Sequence, residues 1–203
     1  MSTPEANQEP PAGRRPKAPS ILVVGAGNLL LRDDGVGIHA VRAFAKQAPG
    51  DVPAVEVGTD PWCALHLLEE SDKVIVFDAL KGGGAPGSVY ALGMADVRRQ
   101  PVQGSLHEID LVTVWATMKE PRPEVLVVAA EPLSIECGIE LTPELAAAVP
   151  RMVEAARKFV DAWRAQGAAA IHSTTDPAVS YQGSEARPLE RRPCREDGIA
   201  AGA

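Results

Sequence analysis

Two adjacent carboxylates, Asp33 and Asp34, close a glycine-rich stretch, Gly25-Ala26-Gly27-Asn28-Leu29-Leu30-Leu31-Arg32-Asp33-Asp34-Gly35-Val36-Gly37. An apolar run, Ile21-Leu22-Val23-Val24, precedes it and reads as a buried strand. The acids therefore stand just past a strand, where the next helix should begin. Paired carboxylates there can hold a divalent cation or move a proton as general acid or base. A third acid, Asp78, closes another apolar run, Lys73-Val74-Ile75-Val76-Phe77-Asp78. His107 lies in Ser105-Leu106-His107-Glu108, which has the form of a capping box and places the imidazole in a first helical turn. The positive end of a helix disfavours protonation, and neutral imidazole is the form that ligates metal. Bland readings stand beside these: an N-cap role for Asp33 or Asp34, a turn cap for Asp78, and a surface position for His107.

The elements that must position these residues follow from periodicity and punctuation. Strands are expected at residues 21–24, 52–57, 73–78, 88–92 and 124–130, and helices at 35–47, 61–70, 105–118 and 142–167. The last helix opens with Thr142 as N-cap, Pro143 in first position and Glu144 in the first turn, and Gly167 is placed to end it. Its expected buried face is Leu145, Val149, Met152, Val153, Ala156, Phe159, Val160 and Trp163. The loop Lys81-Gly82-Gly83-Gly84-Ala85-Pro86-Gly87 is too short for a crossover helix, so the strand after it should run antiparallel to its predecessor. The order β-α-β-α-β-β-α-β-α implies a three-layer α/β/α sandwich around a mostly parallel sheet of about five strands, one of them antiparallel. Parallel strands bring their carboxyl ends to one edge, so Asp34 and Asp78 should share a cleft.

Composition narrows the function classes. The chain has 203 residues, 45% of them hydrophobic, enough for one α/β domain with tails. A net charge of −7 argues against a general nucleic-acid surface. No apolar stretch is long enough to span a bilayer. The three cysteines, Cys63, Cys137 and Cys194, are far apart and form no CxxC, which excludes a disulfide framework and fits a reducing cytoplasm. Cys63 and Cys137 read as buried small apolar residues, and Trp62, Trp115 and Trp163 as core or cleft wall. Asn28 suits a turn with unusual backbone angles, and His39, His66 and His172 are given no role. Arg14-Arg15 does not make an export signal, because the apolar segment after it is broken by Gly25, Gly27 and Asn28. Gly25-x-Gly27-x-x-Leu30 lacks the third glycine of a dinucleotide fingerprint, and carboxylates in the turn would repel a pyrophosphate. Residues 1–19 and 168–203 are expected to be disordered flanks of a domain spanning residues 20–167.

Taken together, Gly25-x-Gly27-Asn28-x-Leu30-x-x-Asp33-Asp34-Gly35-x-Gly37 resembles the signature of the hydrogenase maturation proteases. The resemblance continues in Gly58-Thr59, in Val74 to Ala79 with Ala85-Pro86-Gly87, in Ser105-Leu106-His107, and in Gly138-Ile139-Glu140-Leu141-Thr142-Pro143. It implies a phosphorylase/hydrolase-like α/β fold and a cytoplasmic, aspartic-type endopeptidase. Such an enzyme removes the C-terminal extension of a [NiFe]-hydrogenase large-subunit precursor after nickel insertion. By position, the family's two metal-binding acids fall on Asp34 and Asp78 and its metal-binding histidine on His107. The resemblance makes these three both the catalytic and the metal-binding residues. The nickel would arrive in the substrate, and other divalent ions could occupy the same donors. The alternative is a non-proteolytic assembly factor that binds the nickel-loaded subunit. Many members carry Asp-Gly-Gly-Thr-x-Gly after the second strand, where this chain has Glu56-Val57-Gly58-Thr59-Asp60-Pro61, a departure in a segment thought to meet the substrate.

Overall fold

The computed structural model describes residues 20–97 and 106–169, and for residues 106–110 and 167–169 the backbone alone. Five strands form one sheet: β1 (Ile21–Ala26), β2 (Ala54–Gly58), β3 (Lys73–Ala79), β4 (Val89–Gly93) and β5 (Glu124–Ala130). The helices are α1 (Val36–Ala45), α2 (Leu65–Glu69), α3 (Met94–Val97), α4 (Leu106–Thr117) and α5 (Pro143–Ala169), with 3₁₀ turns at Arg32–Gly35 and Pro61–Ala64. The strand order is β2-β1-β3-β5-β4. β1 pairs in parallel with β2 and β3, β3 in parallel with β5, and β4 antiparallel with β5.

Alternate residues of the central strands serve two cores. Ile21, Val23, Ile75, Phe77, Leu126 and Val128 face one core, closed by Val41 and Phe44 of α1 and by Leu145, Met152 and Val160 of α5. Leu22, Val24, Val74, Val76, Val125 and Val127 face the other, closed by Leu68, Met94, Leu111 and Val114. A sheet covered on both faces needs apolar residues at every position, which is why β1, β3 and β5 read as continuous β-branched runs. The three-layer arrangement expected from the pattern is therefore present. Of the expected inner face of α5, Val149 and Phe159 are half-buried and the rest are buried.

The direction expected for β4 is present, and two other local expectations need correction. β4 does run against the direction of β3, but its neighbour is β5. Both sides of β3 are already taken, by β1 and β5, and the connection crosses the end of β5 instead. Leu80 N–H donates to Ala130 O at 3.0 Å and Gly87 N–H to Glu131 O at 2.8 Å. Gly167 does not end α5, which continues to Ala169. One helical glycine costs only about 1 kcal/mol against alanine, and three alanines follow it in the sequence. Cys63 and Cys137 are exposed, so neither is the buried small residue expected, and Trp62, 44% exposed, is outside the core, which leaves the cleft-wall reading. Ser105 of the expected capping box, residues 1–19 and nearly all of residues 168–203 lie outside the described residues.

Candidate active site

The glycine-rich stretch folds back over the carboxyl end of β1. Gly27 takes φ 127°, and a Cβ there would stand 1.9 Å from the carbonyl oxygen of Asp34. Only glycine permits that approach. Asn28 N–H donates to Asp34 Oδ2 at 3.0 Å, and Asn28 Oδ1 accepts from Leu30 N–H at 2.9 Å. The second bond is an Asx turn, which explains Asn28 without unusual backbone angles. Among the described non-glycine residues the positive φ is at Arg32, 47°. The N-cap position of α1 is Gly35, with no side-chain bond, and Asp34 instead reaches back to Asn28. Gly37 lets α1 sit hard on the sheet: a Cβ there would meet Ala26 O at 2.2 Å and Phe77 O at 2.3 Å.

Asp33 and Asp34 are both buried, with different partners. Asp33 Oδ2 accepts from Leu133 N–H and Ser134 N–H, each at 2.9 Å. Its Oδ1 accepts from Thr142 N–H at 2.8 Å, and the Thr142 hydroxyl lies 3.0 Å from both oxygens. Asp33 thus ties the β1–α1 loop to the β5–α5 loop and to the start of α5. A parallel bridge between Leu31 and Gly138 closes the same seam.

Asp78 sits at the carboxyl end of β3, buried, with Oδ1 accepting from Ala79 N–H at 2.8 Å. β1 and β3 are in register, Gly25 opposite Phe77, and the turn bearing Asp34 packs against β3. Asp34 and Asp78 are therefore brought to one end of two adjoining strands, as the topology required. Glu131, just past β5, is a fourth buried acid at this edge that the motif reading did not single out. Its Oε2 accepts from Gly82 N–H at 2.8 Å, Gly84 N–H at 3.2 Å and the Tyr90 hydroxyl at 2.8 Å, fixing the glycine-rich loop beside Asp78. Burial and then the Glu131 carboxylate push the Tyr90 phenol up to about 12. The signal was present in sequence: an acid directly follows the strand 124–130, as Asp78 closes β3.

His107 is the second residue of α4, and its side chain lies outside the described residues. The direction of α4 is fixed from its far end. Trp115 Nε1 donates to Pro123 O at 3.2 Å, next to the start of β5, and α4 also packs against the Pro61–Ala64 turn beyond β2. The helix therefore begins toward the carboxyl edge and ends at the opposite one. Among the described side chains no group of three His, Cys, Asp or Glu could hold a metal ion. Beside Asp34 a groove of about 430 Å³ opens between the ends of β1 and β2, lined by Asn28, Leu29, Ile38, Glu56 and Thr59 among others. Glu56 is held by Arg42 through two 2.8 Å bonds, which lower its carboxyl below the usual range. Burial, and then Arg42, lower the nearby His39 against the opposing pull of Glu56.

A mostly parallel sheet whose carboxyl edge gathers buried acids and converging loops is the architecture of an α/β enzyme. Residues 38–158 match the family model described as HycI, hydrogenase maturation protease. The hydrogenase expression/formation protein HupD of Rhizobium leguminosarum bv. viciae is 32% identical over 73% of this chain and 77% of its own. HupD of Rhodobacter capsulatus is 29% identical over 88% and 91%. The solved hydrogenase maturating endopeptidase HybD from E. coli has a TM-score of 0.62 at 28% identity, covering 72% of this chain and 93% of that one. The chain belongs to the hydrogenase maturation protease family and is an endopeptidase.

Proposed function

We propose that this endopeptidase removes the C-terminal extension of a [NiFe]-hydrogenase large-subunit precursor, and that Asp34, Asp78 and His107 recognise nickel already set in that precursor. The observation that carries the reading is the burial of Asp34 and Asp78 at the ends of adjoining parallel strands, each held by a backbone N–H. The direction of α4 supports His107 as the third donor. Two carboxylates and an imidazole suit a divalent ion of intermediate softness and leave positions for donors from the substrate. The nickel orients the precursor. A carboxylate of the Asp34–Asp78 pair takes the proton of the attacking water, which makes the chemistry aspartic-type. The exposed thiols of Cys63 and Cys137 suit a reducing cytoplasm, and no described helix is long and apolar enough to cross a membrane.

The test is mass spectrometry of the precursor after incubation. Nickel-loaded precursor loses its extension with the wild-type chain. It stays whole with Asp34→Asn, Asp78→Asn or His107→Ala, and metal-free precursor stays whole with any of them. Cleavage of metal-free precursor would remove nickel from the reading, and full activity of any of the three variants would remove that residue. Complex formation with no loss of mass would make the chain an assembly factor.

A further inference from the structure

Five large hydrophobic residues are exposed among the described residues, and all follow the carboxyl ends of strands: Leu30 after β1, Trp62 after β2, and Leu133, Ile135 and Ile139 after β5. Leu30 is 66% and Ile139 71% exposed. Single exposed apolar residues are ordinary on any surface, but their confinement to one edge is not. Four of them occupy two loops that are sewn together. Gly138 N–H donates to Leu30 O at 2.9 Å, Arg32 N–H to Gly138 O at 2.8 Å and Asp33 N–H to Ser134 O at 3.2 Å. Asp33 closes the seam from beneath through the Leu133, Ser134 and Thr142 amides. The result is an ordered apolar ridge, and its first loop is the one that delivers Asp34. Glu136 and Glu140 are exposed in the second loop, against one half-buried cation, Arg32, whose side chain lies against Gly138, so the fitting partner surface is apolar with a more basic than acidic fringe.

We infer that the ridge formed by Leu30, Leu133, Ile135 and Ile139 is the docking surface for the hydrogenase large-subunit precursor, a contact apart from the metal-recognising acids. The inference rests on the function proposed above. A protein substrate whose peptide bond reaches Asp34 and Asp78 must cover the loops around them, and the ridge is continuous with that edge. Asp33 serves it as a positioning residue that sets the spacing of the two loops.

The experiment is steady-state cleavage of nickel-loaded precursor by the full chain carrying Leu30→Asp, Ile139→Asp or both, with Ile139→Leu as the conservative variant. The double variant should raise KM by about tenfold or more, as expected for loss of apolar anchors at an interface, with kcat within about twofold. Ile139→Leu should keep the wild-type KM. Melting temperatures should not move, because both side chains are exposed. Unchanged KM in the double variant, with the wild-type chain cutting normally, overturns the ridge and leaves the proposed function standing. A fall in kcat at constant KM overturns it as well. A dimer in light scattering that Ile139→Asp splits would assign the ridge to a second copy of this chain and overturn the precursor. If the wild-type chain leaves the precursor whole, both readings fall together.

Discussion

Asp33 is held by amides from Leu133, Ser134 and Thr142, while Asp34 takes an amide from Asn28. Adjacent identical side chains therefore answer to different parts of the molecule. Asp33→Asn turns an N–H donor toward groups that already donate, so unfolding stability should fall by about 1–3 kcal/mol. Asp34→Asn breaks none of the three amide bonds that join the two loops, can keep the bond from Asn28 through its amide oxygen, and should lose less stability while losing cleavage. Denaturant unfolding beside precursor cleavage separates the two. Equal loss of stability in both variants would contradict the division. The sequence showed that an acidic pair followed a strand, but not which member reached the far loop, because that partner lies 100 residues or more away. Glu131 was legible only as an acid just past a strand, and its partners were not, because its burial depends on the loop folding over the end of β5.

The glycine-rich loop is an element without regular structure, ordered by one buried carboxylate and one phenol. Tyr90 has its phenol raised above the ordinary value of about 10. Its contribution to stability is therefore complete below about pH 10 and lost as pH rises through about 12. Ultraviolet titration of the folded chain should show a tyrosine step near pH 12 that Tyr90→Phe removes. A Tyr90 step at the ordinary value would show that the bond to Glu131 does not hold the loop. α1 makes the opposite case, an element seated on backbone alone. A Cβ at Gly37 would lie within 2.3 Å of two carbonyl oxygens, so Gly37→Ala must push α1 off β1 and β3. We expect a loss of about 3 kcal/mol or more, in the upper range for overpacking, read as a lowered melting temperature. The strand and helix types were legible because β1, β3 and β5 are apolar throughout and α5 keeps a helical stripe. The place of β4 was not, since five residues of alternating character fit either edge of a sheet.

At the scale of the whole molecule, both cores are closed by elements within residues 20–169. We propose that these residues form the folding unit. A chain trimmed to them should keep its melting temperature within a few degrees and still process precursor. Calorimetry and cleavage assay check this, and a large fall in melting temperature would show that the flanks pack on the domain. α5 runs two residues past Gly167, because a glycine near a helix end looks like a stop but does not oblige one. The seam beneath the ridge also has a consequence for synthesis. Asp33 is made early, and the amides it needs appear 100 to 109 residues later. Contacts of such separation close slowly and late. During translation the acids of β1 and β3 leave the ribosome with no second loop to frame them. Peptide-cutting capacity should therefore arise only once the loop from Leu133 to Thr142 has been made, so a nascent chain that ends before it should not cut its neighbours.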